Sequence, residues 1–229
     1  MLELTWLDDT DLTFPPVEMA LEEPNGLLAA GGDLSPERLI SAYRQGIFPW
    51  FEDGQPPLWW SPTPRMVLFP QELHIPRSLA KTLRRKNYKV TCDKAFEGVI
   101  RACAAPRDDD SGTWITEEMI EAYCHLHDIG VAHSVEAWQE EELVGGFYGI
   151  QLDKAFFGES MFAKRPDASK VAFVKGVQLL QTQGCRIIDC QVSTDHLSRF
   201  GAREISRGQF CDLLIDCIQE LSPSQSWHL

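Results

Sequence analysis

Asp189 and Gln191 stand two residues apart in Ile187-Ile188-Asp189-Cys190-Gln191-Val192, an otherwise apolar run bounded by Gly184 and by Ser193-Thr194-Asp195. The run reads as a buried β-strand. Strand side chains alternate between faces, so Asp189 and Gln191 point one way and Cys190 the other. A carboxylate in a buried strand is costly unless it is paired. On these residues two readings stay open: a satisfied polar knot that fixes the strand, or chemistry. Glu159 repeats the anomaly in Gly158-Glu159-Ser160-Met161-Phe162. Alternation puts Glu159 and Met161 on one face and Gly158, Ser160 and Phe162 on the other. If the two strands are neighbours, Glu159, Asp189 and Gln191 share one floor. One of several clustered acids can then have a raised pKa and accept a proton at neutral pH. A salt bridge from Glu159 to a local Lys or Arg is the plainer alternative.

Other side chains suggest what such a floor would hold. Gly145-Gly146-Phe147-Tyr148-Gly149 places glycines inside a strand, where they mark a bulge or the close approach of a ligand. Phe147, Phe156, Met161, Trp50 and Trp114 could line an apolar pocket, although each taken alone reads first as core. Cys190 and His196 invite a thiol-nucleophile reading, which the expected orientation of Cys190 away from Asp189 disfavours. The six histidines show no HExxH or other ligand spacing, so no metal is expected.

A net charge of −13 over 229 residues disfavours indiscriminate nucleic-acid binding, and a local basic cluster stands out against it. Arg77, Lys81 and Arg84 follow at i, i+4 and i+7 of an expected helix that has Pro76 near its first turn. Arg85, Lys86 and Lys89 extend the stripe. Such a face is either solvated or holds a few phosphates, enough to position an RNA without reading its sequence. Seven scattered cysteines without a CxxC pair suit free thiols in a reducing cytoplasm. No secretory signal or membrane span is expected.

These groups need elements to position them. Residues 1–62 read as a small N-terminal domain rich in Pro, Gly and Trp, with a helix from Ser35-Pro36 to Gln45 and Gly46 just past its end. The stretch from Phe48 to Arg65 is aromatic but too proline-rich for a central strand. Residues 63–229 read as mixed α/β. A short strand at Val67-Leu68-Phe69 leads to the basic helix, then a strand at Tyr88–Thr91. Asp93 caps a helix to Cys103, and Thr116 caps a helix to Gly130. A three-stranded meander spans 132–162, a long helix spans 168–183, the Asp189 strand follows, and Ser206 to Gln209 forms a capping box. The fold class expected is α+β: a small N-terminal domain and a mixed-sheet domain in the order of the acetyltransferase (GNAT) fold. That fold holds the pyrophosphate of CoA in a Gly-rich loop before the long helix. Here the loop is Ala163-Lys164-Arg165-Pro166-Asp167, without glycine and with a donor removed at Pro166. CoA is therefore not expected as a donor.

The motifs taken together resemble one family. Glu23-Pro24-Asn25-Gly26-Leu27-Leu28-Ala29, Gly31-Gly32-Asp33-Leu34, Gly46-Ile47-Phe48-Pro49-Trp50-Phe51, Trp59-Trp60-Ser61-Pro62, Gly112-Thr113-Trp114-Ile115, Leu143-Val144-Gly145-Gly146, Gly158 to Phe162 and Ile188 to Gln191 are similar to those of bacterial leucyl/phenylalanyl-tRNA–protein transferases. The resemblance covers nearly the whole chain. Thr194 stands where many relatives carry Asn, and Phe147 where a Met can occur. The resemblance implies a cytoplasmic enzyme that takes Leu or Phe, less often Met, from aminoacyl-tRNA. It joins that residue to the N-terminal Arg or Lys of a protein, marking the protein for degradation, and it uses no CoA. It also implies roles. Phe147, Phe156 and Met161, with Ser160 beside them, would hold the aminoacyl side chain, and Trp50 and Trp114 would stack on the terminal adenosine. Arg77, Lys81, Arg84 and Arg85 would hold acceptor-stem phosphates. Glu159 and Asp189 would orient groups and attract the basic N-terminus. Gln191, oriented by Asp189, would accept a hydrogen bond from the attacking amine.

Overall fold

A computed structural model describes residues 4–85, 87–106, 114–219 and 227. Lys86 of the basic stripe and the Gly112-Thr113 half of one motif lie outside these residues. The chain opens with β1 (Thr5–Leu7), β2 (Leu27–Gly31), α1 (Pro36–Arg44), β3 (Phe48–Pro49) and β4 (Leu58–Trp60). These four strands form a sheet in the order β1-β2-β4-β3, with β1 parallel to β2 and the other pairs antiparallel. The aromatic stretch thus contains an interior strand after all: β4 runs between β2 and β3. None of its three residues is proline, while Pro49 lies on the edge strand, where a missing N–H breaks no ladder. Trp59 fills the centre of this unit, fully buried, and donates from Nε1 to the Gly31 carbonyl at 2.9 Å. α1 begins as its sequence dictates. Ser35 accepts from the Arg38 N–H, Pro36 takes the first turn, and Gly46 follows at φ +74. The buried Arg38 serves the same unit by donating to the Asp33 carboxylate and to the carbonyls of Asp8 and Asp11.

The remaining elements are β5 (Arg65–Leu68), α2 (Arg77–Arg85), β6 (Lys89–Cys92), α3 (Phe96–Ala104), α4 (Glu117–Asp128), β7 (Ala132–Gln139), β8 (Glu142–Leu152), β9 (Ala155–Ala163), α5 (Ala168–Thr182), β10 (Ile187–Gln191), α6 (Asp195–Ser198), β11 (Arg203–Ile205) and α7 (Arg207–Cys217). Seven strands form one mixed sheet in the order β11-β5-β10-β9-β8-β7-β6. The β7-β8-β9 meander is antiparallel, and β10 returns parallel to β9, which requires a crossover; α5 supplies it. The α+β class and the helix, meander, helix, strand order agree with the expectation from sequence. One sheet face packs Phe147, Phe156 and Met66 against Val171 and Phe173 of α5. The other packs Phe157, Tyr148 and Val67 against α3, α4 and the N-terminal sheet.

Two local expectations are corrected. Asp93 does not cap α3; Ala95 takes that position without a side-chain bond. Asp93 sits instead at φ +54, its carboxylate accepting from the Ser134 N–H and bonding His133 Nδ1, both at 2.8 Å. The strand β7 beside it offers stronger partners than the helix end does. At Gly145 the close approach is made by a helix rather than a ligand. A Cβ there would lie 2.6 Å from the Ala168 Cβ and 2.8 Å from the Ser169 nitrogen, so glycine lets the start of α5 rest on the sheet. The strand bulges one residue earlier, where Ala137 faces Gly145 and Trp138 faces Leu143, leaving Val144 over. Gly145→Val is expected to lift α5 and cost about 2–3 kcal/mol, lowering the melting temperature by roughly 5–10 °C in a thermal melt.

Candidate active site

A cavity of about 430 Å³ opens at the ends of β9 and β10, lined by Trp114, Phe147, Phe156, Phe173, Met161 and the polar groups of both strands. Its floor is aromatic. Phe147 meets Phe156 edge-on at 6.1 Å and Phe173 at 5.9 Å. Two glycines make room for those rings. A Cβ at Gly176 would stand 2.4 Å from the Phe147 ring, and one at Gly149 would stand 2.5 Å from the Phe156 ring.

The polar wall begins at Glu159, which is the extra residue of a β-bulge: Gly149 faces Gly158, Tyr148 faces Ser160, and Glu159 faces neither. The bulge also corrects the expected alternation. Glu159 turns toward Tyr43 of α1 and Tyr123 of α4, while Met161 packs with the α5-side cluster, so the two do not share a face. Tyr43 donates to Glu159 Oε1 at 2.7 Å and Tyr123 to Oε2 at 3.1 Å, and the two phenols also bond each other. Gln191 Nε2 donates to Oε1 at 2.9 Å. No Lys or Arg pairs with Glu159 among the described residues. Burial pushes the Glu159 carboxyl up to about 7, against the hydrogen bonds of the two tyrosines, with the nearby Asp189 adding a smaller push upward. Burial and the Glu159 charge hold both phenols well above their ordinary range, so they remain donors.

Asp189 and Gln191 both line the cavity, but simple alternation does not bring Gln191 there: the ladder breaks between them, and Gln191 reaches Glu159 from a left-handed turn at φ +60. Asp189 pairs with Val67, Gln191 with Met66, and Cys190 is left over. Asp189 is buried in a bidentate pair with Arg65, at 2.8 Å from Nε and 2.6 Å from Nη2. Its charge is therefore matched before any substrate arrives. Its Oδ1 also accepts the Gln191 N–H at 2.9 Å. Cys190 packs on the opposite face, and burial drives its thiol far up, which removes the thiolate a nucleophile would need. His196 lies against Phe200 with its pKa lowered by burial. Thr194 caps α6 by accepting the Leu197 N–H.

The expected site residues thus divide. Glu159, Asp189, Gln191, Trp114, Phe147, Phe156, Ser160 and Met161 all line the one cavity. Trp50 is not among its lining; it is 48% exposed beside β3 and packs edge-on against Trp60. Arg77, Lys81, Arg84 and Arg85 are exposed along α2 and carry no ion pair among the described residues. α2 meets the loop before α5, where Thr82 bonds Asp167 and Tyr88 bonds the Pro166 carbonyl. Asp167 of that loop is left-handed at φ +64 and holds Lys170 at 2.8 Å. Three site residues escaped sequence reasoning: Tyr43, Tyr123 and Arg65. Arg65 carried a signal, being a cation at the head of the apolar run Met66-Val67-Leu68 in an acidic chain. The tyrosines, on amphipathic helices, carried none.

Known proteins resemble this chain in sequence. The leucyl/phenylalanyl-tRNA protein transferase family profile matches residues 67–215, and the profile of that family's N-terminal domain matches residues 32–63. A leucyl/phenylalanyl-tRNA–protein transferase of Nitrosomonas eutropha is 60% identical over 219 residues, 96% of this chain and 94% of its own. That of Pseudomonas putida is 60% identical over 224 residues, 98% and 99% of the two chains. A distant likeness in structure is to a GCN5-related N-acetyltransferase from Kribbella flavida, at TM-score 0.38 and 10% identity, over 75% of this chain and 61% of that one. By its sequence over nearly its whole length, this chain belongs to the leucyl/phenylalanyl-tRNA–protein transferase family.

Proposed function

We propose that this chain, an aminoacyltransferase by family, moves Leu or Phe, less often Met, from aminoacyl-tRNA to the N-terminal Arg or Lys of acceptor proteins, which it thereby marks for degradation. The observation that carries this reading is the cavity itself: about 430 Å³ with an aromatic floor beneath a wall formed by Glu159 and Gln191. An apolar pocket of this kind discriminates weakly against one methylene but excludes other shapes. Glu159, ionising near neutrality, takes a proton from the acceptor's α-ammonium. The freed amine attacks the ester carbonyl while the Gln191 side chain holds it in line. The new C–N bond replaces the C–O bond to the terminal ribose, whose oxygen leaves with a proton. The ester is already activated, so orientation supplies much of the rate.

Trp114 at the cavity, and Trp50 from the N-terminal sheet if the RNA bridges the two, would stack on the terminal adenosine. The exposed cations of α2, without an ion pair among the described residues, suit the acceptor-stem phosphates. Replacing Arg77, Lys81 and Arg84 together by Ala should raise KM for aminoacyl-tRNA about tenfold or more and flatten its log–log salt dependence by roughly 2–3, with saturating kcat unchanged. Residues 1–62 and 63–229 serve as the two units of this reading. No described helix is long and apolar enough to cross a membrane, and we place the protein in the cytoplasm, where charged tRNA is made. The glycine-free loop with its Asp167–Lys170 pair speaks against a CoA donor.

The test is transfer of labelled Leu from Leu-tRNA to peptides beginning with Arg, Lys or Ala, with acetyl-CoA as a parallel donor. Transfer from tRNA alone, and to Arg and Lys alone, is the expected result. Acylation from acetyl-CoA without transfer from tRNA overturns the reading.

A further inference from the structure

We infer that Arg65 is a positioning residue of this site: it fixes Asp189, and through Asp189 sets the left-handed turn that aims the Gln191 carboxamide at Glu159. The inference rests on the aminoacyl-transfer reading of the cavity. Arg65 is 1% exposed, and its guanidinium lies 4.7 Å from the centres of both the Phe48 and the Phe210 rings. Phe48 belongs to β3 of the N-terminal sheet and Phe210 to α7, so elements distant in sequence hold the guanidinium plane. The fork then grips both Asp189 oxygens, leaving Nη1 without a partner among the described residues. Asp189 Oδ1 serves two donors at once, Arg65 Nε and the backbone N–H of Gln191. That second bond matters because Gln191 sits at φ +60, a region a non-glycine residue enters only when its surroundings impose it. From this turn the carboxamide reaches Glu159. Asp189 thus acts through geometry. Its charge is already matched by a buried cation, and what it passes on is position.

The experiment compares Arg65→Lys, Arg65→Met, Asp189→Asn and the double variant Arg65→Met/Asp189→Asn, in the full chain, by steady-state transfer from Leu-tRNA to an Arg-peptide. Lysine keeps the charge but has neither the fork nor the flat face. Arg65→Lys is expected to lower kcat about tenfold or more, with KM for Leu-tRNA within about twofold, because an orienting contact is lost while the RNA surface is untouched. Arg65→Met leaves Asp189 buried and unmatched, whereas in the double variant the side chain at 189 is neutral and its amide oxygen can still accept from the Gln191 N–H. The double variant is therefore expected to regain about tenfold in kcat over Arg65→Met. If Arg65→Met does not fold, Arg65→Lys with a near-native melting temperature decides the matter. A native kcat for Arg65→Lys, a loss confined to KM, or a folded double variant no better than either single variant overturns the inference. A wild-type protein inactive with Leu-tRNA overturns the transfer reading and this inference together; an active wild type with an indifferent Arg65→Lys overturns the inference alone.

Discussion

Glu159→Gln is expected to lower kcat by about 10²–10³-fold and to erase the rise in activity through pH 7 expected of the wild type. The Glu159 carboxyl titrates at about 7, because burial raises it more than the two tyrosines lower it. Below that pH the group is neutral and cannot take a proton from the acceptor amine. Tyr43→Phe removes a bond that favours the charged form, so its activity limb should move to higher pH. The acceptor amine is common to all three enzymes, which isolates Glu159 as the source of any difference.

Stability follows with a definite sign. The folded pKa of Glu159 lies above its ordinary value of 4.5, so the folded protein holds the proton more tightly than the unfolded chain does. The resulting stabilisation is complete below about pH 4.5 and is lost as pH rises through 7. Its size is about 3 kcal/mol. Denaturant melts of wild type and Glu159→Gln at pH 5 and pH 8 should therefore differ in their pH dependence by that order. Parallel curves for the two proteins would remove Glu159 as the titrating group.

Asp189→Ala is the second large effect. Arg65 is buried and gripped by both oxygens of Asp189, so deleting the acid leaves an unmatched cation between two aromatic rings. The expected loss is about 3–5 kcal/mol, a fall in melting temperature on the order of 10 °C. The surface pair Arg101–Glu117 offers the contrast. Both side chains are about half exposed or more, and Glu117→Ala should leave the melting temperature almost unchanged. Equal effects for the two variants in a thermal melt would show that the Asp189 pair is solvated, contrary to the burial described here.

Much of the fold was legible along the chain because its signals are local. Ser35-Pro36, Thr116 and Ser206 to Gln209 started helices where capping chemistry predicts, and Gly46, Gly130 and Gly184 followed helices in positive-φ conformations. The anomaly of acids in apolar strands singled out Glu159 and Asp189, which the fold brings to one cavity, since a carboxylate in an apolar strand requires a reason wherever the fold places it.

Tertiary structure decided what those acids meet. The bulge at Glu159 reversed the parity that separates it from Met161, because one extra residue in a strand flips every side chain beyond it. Pairing in space brought Tyr43 and Tyr123 to Glu159 and Arg65 to Asp189, across sequence separations of 116, 36 and 124 residues. The sequence by itself determined the element order, the family and the presence of buried acids, because caps, periodicity and motifs are properties of neighbouring residues. Whether each acid is charged, protonated or matched was settled only by the fold, because burial and hydrogen-bond partners, which fix a carboxyl's proton, come from residues far away along the chain.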